Sequence, residues 1–144
     1  REEEWRQLTS TLVAAEDTTK DEIPLSAKSL FNMVSEILKD MNLYMLSPSV
    51  TEDDRFFRGV AKFYGEGVKE LKYAAQIEVI GGTKKSQLIL KSWAEREDAL
   101  TGFYYKILDE IEKRVKIKEY IEDPIVQHIV NIRDSVVQRT QFGR

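Results

Sequence analysis

Apolar residues recur at helical spacing along most of this chain, and that period limits the fold more than any other feature. Leu30, Phe31, Val34, Ile37, Leu38 and Met41 fit a 3.6-residue repeat behind Ser26, a good helix N-cap. Ser47-Pro48-Ser49 stops that pattern, because a residue before proline avoids helical backbone angles. Trp93, Leu100, Phe103, Tyr104, Ile107, Leu108, Ile111 and Val115 hold the same period further on. Residues 2–16 place Trp5, Leu8, Leu12 and Val13 on one helical face.

Thr51, followed by Glu52-Asp53-Asp54, has the chemistry of a helix start: a capping hydroxyl and acids near the positive end of the dipole. Phe56, Phe57, Val60, Phe63, Tyr64, Val68, Leu71, Ala74 and Ala75 would then form one broad apolar face. Asp123-Pro124 restarts the chain, and Ile125, Val126, Ile129, Val130, Ile132, Val136 and Val137 complete a last helix. These patterns predict an all-α fold, a bundle of four or five amphipathic helices in a single domain over residues 1–144.

The stretch from Gln76 to Lys91 leaves two alternatives open. As helices, Gly81 ends one and Thr83 caps the next, and a continuous helix from Thr83 to Glu122 would reach about 60 Å. As strands, Ile77 and Val79 alternate with Gln76 and Glu78, and Gly81-Gly82 turns the chain into Gln87-Leu88-Ile89-Leu90. The second alternative adds a minor β-hairpin to the bundle. Gly59, Gly65 and Gly67 are unusual inside a helix, where each costs ~1 kcal/mol relative to alanine. Close helix packing, a kink or a ligand approaching the backbone would account for them.

Composition narrows the function. Zero cysteines exclude disulfides, thiolate metal sites and a cysteine nucleophile, and suit an intracellular setting. One histidine excludes multi-histidine metal sites, and Ile125 stands where the helical Glu-x-x-His carboxylate motif needs its glutamate before His128. Gly81-Gly82-Thr83-Lys84-Lys85-Ser86 resembles a phosphate loop only in composition, because its spacing is wrong. No apolar run approaches a membrane span. The opening Arg1 suggests a piece of a longer chain. Net charge is −3, with an acidic head over residues 1–24 and a basic tail over 124–144. Neither a metal nor a cofactor is expected, and nothing favours membrane binding.

Two sets of residues remain as candidates. Phe56-Phe57, Phe63-Tyr64 and Phe103-Tyr104-Tyr105 are adjacent aromatic runs, which one helix face cannot bury entirely. Phe57, Tyr64, Phe103 and Tyr105 are therefore the expected anchors of a partner interface. Lys84, Lys85 and Lys91 form one basic cluster; Lys113, Arg114, Lys116 and Lys118 form another, suited to anions or nucleic acid. The expected function is a non-enzymatic helical module for protein interaction or self-association. The alternatives are a nucleic-acid-binding accessory domain using the two basic clusters, and a bundle sensing a small ligand beside the three glycines.

Overall fold

The computed structural model describes residues 1–19, 22–66 and 72–119, with side chains up to residue 116. Its elements in chain order are α1 (Glu2–Thr11), β1 (Val13–Thr18), α2 (Ala27–Asp40), β2 (Leu43–Met45), β3 (Ser49–Glu52), β4 (Phe57–Glu66), β5 (Lys72–Gly81), β6 (Ser86–Ala94) and α3 (Glu97–Glu119). The six strands form one antiparallel sheet in the order β1-β6-β5-β4-β2, with β3 also paired to β4. The all-α bundle is thus corrected to an α/β architecture with helices packed on a sheet.

The strands arise from period-two patterning that one buried face enforces. Along β4, Phe57, Gly59, Ala61 and Phe63 point to one side and are buried; Arg58, Val60, Lys62 and Tyr64 point to the other. On β5 the inward-facing buried set is Tyr73, Ala75, Ile77 and Val79, and on β6 it is Ser86, Leu88, Leu90, Ser92 and Ala94. The region expected to start a helix at Thr51 is instead a β3–β4 hairpin. Asp53 serves the turn: its Oδ1 accepts the amides of Arg55 at 2.8 Å and Phe56 at 2.9 Å. Of the two alternatives for residues 76–91 the hairpin is the one adopted, with β5 and β6 longer at both ends than that reading placed them. The long helix starting at Thr83 is likewise corrected, since β6 continues to Ala94 and α3 begins at Glu97.

α2 starts as its sequence predicts, with Ser26 Oγ accepting the Ser29 amide at 3.1 Å. It ends earlier than expected. Asn42 turns the chain at φ 67°, and Leu43–Met45 join the sheet beside β4. α2 and α3 share the inner face. Leu30, Val34, Ile37 and Leu38 of α2 and Leu100, Phe103, Tyr104, Ile107 and Ile111 of α3 form one core with the inward strand residues. Within it Phe103 stacks on Tyr73 at 5.1 Å and Phe31 meets Phe57 at 5.7 Å. Gly59 belongs to this packing, because a Cβ there would sit 2.7 Å from the Phe31 ring. The glycine lets α2 lie close on β4, and Phe31 fills the space that a ligand would need. Gly65, at φ 151°, sits where a Cβ would come within 2.8 Å of the Asn42 carbonyl oxygen. Gly67, His128 and the last predicted helix lie outside the described residues.

Candidate interaction surface

The outer face of the sheet is built differently. Strand register fixes its cross-strand rows. One end carries Tyr44, Tyr64, Ala74, Trp93 and Ala14. Next come Lys62, Gln76, Lys91 and Glu16, then Ser49, Val60, Glu78, Ile89 and Thr18. Thr51, Arg58, Ile80 and Gln87 form the far end.

α1 covers the first end. It starts over β4, where Glu2 meets Lys62 at 2.7 Å and Glu4 bonds Tyr64, and it ends at Leu12, which leads directly into β1. Ten residues of helix span about 15 Å, close to the three strand spacings from β4 to β1. α1 therefore lies across the strands. Its anchor is Trp5, whose Nε1 donates to the Phe63 carbonyl at 3.1 Å. The Trp5 ring meets Trp93 edge-on at 5.2 Å. Lys62 Nζ stands 4.7 Å above Trp5, and Lys91 Nζ stands 5.4 Å from the Trp93 ring. Beneath this helix Ala74 and Trp93 are buried, yet no α1 residue is itself buried.

The electrostatics match the contacts. The Lys62 hydrogen bond holds the Glu2 carboxyl below its ordinary 4.5. Tyr64 is raised above 10.0, first by desolvation and then by its bond to Glu4.

Beyond α1 the face is open among the described residues. Val60, Ile80 and Ile89 are half-buried there, around an Arg58–Glu78 ion pair of 2.7 Å. Gln87 Nε2 donates to the Thr19 carbonyl at 3.1 Å, fixing the far corner. Tyr44 is 65% exposed beside Tyr64, at a ring separation of 6.0 Å.

The expected interface residues divide between the two faces. Phe57 and Phe103 are core residues. Tyr105 is half-buried against that core, 6.0 Å from Tyr104. Tyr64 alone of the four lies on the outer face. Sequence reasoning missed Trp5, Trp93, Val60, Ile80 and Ile89 as surface-building residues. For Trp93, Ile80 and Ile89 the available signal was the period-two alternation of β5 and β6.

The basic residues are dispersed. Lys84 and Lys85 lie exposed in the β5–β6 turn, next to the start of α2, where Gly82 O accepts the Ala27 amide. Arg114 lies at the other end of α2, bonded to Asp40 at 2.6 Å and paired with Glu36 at 3.6 Å. The 14 residues of α2 separate these two points by about 21 Å. Lys116 pairs with Glu112, Lys113 is exposed on α3, and Lys91 lies against Trp93 on the outer face. Lys118 lies beyond the described side chains.

A cleft of about 250 Å³ opens between the end of α2 and α3, lined by Ile37, Asp40, Met41, Lys106, Glu110 and Arg114. It is the described cavity nearest in kind to the small-ligand reading, and the glycines do not line it. Among the described residues no cluster of three or more metal-binding side chains occurs, and no helix is long and apolar enough to cross a membrane. No family model matches the chain, and no curated protein matches its sequence.

Proposed function

We propose that this chain is a non-enzymatic protein-interaction module that works through the outer face of its sheet. The observation that carries the reading is the composition of the open rows. Val60, Ile80 and Ile89 are half-buried β-branched side chains set around the Arg58–Glu78 ion pair, with Gln76, Gln87 and Thr51 beside them. Apolar side chains interleaved with polar ones on an open face match the composition of a non-obligate protein interface. A sheet also offers a rigid platform, so little conformational entropy is lost on binding. The basic clusters give the nucleic-acid reading less support, because Arg114 and Lys116 are already paired with acids.

The test is quantitative affinity capture, with solution mass by light scattering over a range of concentrations. Wild type is compared with the double substitution Ile80→Asp and Ile89→Asp. Both side chains point away from the core, so the variant should fold. The expected result is a defined set of captured proteins, or a second copy of the chain, that the variant loses. A strictly monomeric wild type whose captured proteins match those of the variant would overturn the reading.

A further inference from the structure

The helix α1 is seated in an unusual way. It covers Ala74 and Trp93 while burying none of its own residues. A ten-residue helix is too short to persist in water unaided, so its order comes from the platform beneath it. The described contacts holding it centre on Trp5, with Glu2 and Glu4 beside it. The platform has matching chemistry: an indole at Trp93, a small residue at Ala74, and ammonium groups at Lys62 and Lys91. It recognises three things together, a tryptophan, an acidic first turn and a helical backbone across the strands.

We propose that this platform is a docking site for an amphipathic helix of a partner protein, one with an acidic first turn followed by a tryptophan. In this proposal α1 occupies the site in cis as an autoinhibitory stand-in. The inference rests on the reading of the outer face as an interaction surface and names the partner class for its covered end. Charge complementarity selects the partner: Glu2 on Lys62 is the contact that a trans helix must reproduce. Leu12 alone separates α1 from β1 and has extended backbone angles, so it serves as the hinge. Tethering gives α1 a high effective concentration, of order millimolar for a short link, and an incoming helix must outcompete it. A partner helix with a longer apolar face would do so by the same groove-docking mode.

The test uses the full chain and a labelled synthetic peptide of residues 1–12 as the probe, read by fluorescence anisotropy up to millimolar protein. In the Trp5→Ala chain the stand-in loses its anchor and the platform keeps all its groups. The expected result is at least tenfold tighter peptide binding to Trp5→Ala than to wild type. Adding Lys62→Glu should abolish that binding, as should replacing the peptide's own tryptophan with alanine. Lys62 is a surface residue, so this arm does not depend on a core change. Equal binding to wild type and Trp5→Ala, absence of binding to Trp5→Ala, or binding indifferent to Lys62→Glu would each overturn the proposal. The Ile80→Asp and Ile89→Asp chain separates this from the broader reading. Its platform is intact, so combined with Trp5→Ala it should still bind the peptide, whatever affinity capture shows for the open rows.

Discussion

The two faces of this sheet are held by opposite means. On the inner face, α2 and α3 bring many large side chains into one core, where Phe63, Ile77, Leu88, Leu90 and Tyr104 are almost fully enclosed. On the outer face, one short helix leans on a tryptophan and a few charges. The same strands carry both faces, so the contrast comes from what is laid on them. Dense apolar burial gives the inner face its share of global stability. The outer face gains too little burial to be fixed in that way. Elements of this kind open locally at much lower cost than the whole domain.

The largest expected effect lies inside. Phe63→Ala should cost about 3–5 kcal/mol in urea unfolding, because a fully enclosed ring is removed from a packed core. Trp5→Ala should shift global unfolding by no more than about 1.5 kcal/mol, the scale of a single aromatic pair. Its main effect should be local: in hydrogen exchange, amides of residues 2–11 lose protection while those of β5 and β6 keep theirs. A loss as large as that of Phe63→Ala would erase the contrast between the faces.

Two smaller effects sharpen it. Ser92 is fully buried on the inner face, and its hydroxyl has no hydrogen-bond partner among the described residues. Ser92→Ala should therefore stabilise the chain by up to about 1 kcal/mol in thermal or urea melts. The smallest effect is the pH response of α1. Folding lowers the Glu2 carboxyl, so its contribution is fully present above the ordinary 4.5 and lost as pH falls through the lowered value. Acidification should then change tryptophan fluorescence before the far-ultraviolet dichroism of the sheet changes. Lys62→Met should remove that early step.

The same contrast explains which parts of the structure could be read from sequence. α2 was legible because its cap and apolar spacing agree, and no other period fits them. β4 was not. Phe57, Val60, Phe63 and Tyr64 satisfy a helical repeat, while its true alternation passes through Gly59 and Ala61, too small to register as core residues. Ser86 and Ser92 hid the inward set of β6 in the same way. The aromatic pairs misled for a related reason. In a strand, neighbours point to opposite sides, so Phe63 can be enclosed while Tyr64 lies outside. On α3, Phe103 and Tyr104 are both buried, because sheet and α2 enclose that helix from two sides. Trp5 carried no sign of its role, since its partners Phe63 and Trp93 are distant in the chain and only the fold brings them together.

The pairing of β1 with β6 has a consequence for how the chain is made. Val13 has no strand to join until Ala94 exists. At ~5–20 residues per second, synthesis of the intervening chain takes on the order of ten seconds. Throughout that interval the first strand and the helix before it have left the ribosome without their sheet. Contacts of such long sequence separation also slow the final closure. The glutamates and aspartates among residues 1–24 then act before the sheet is complete. They repel neighbouring nascent chains and keep an edge strand in solution while its partner is still being translated.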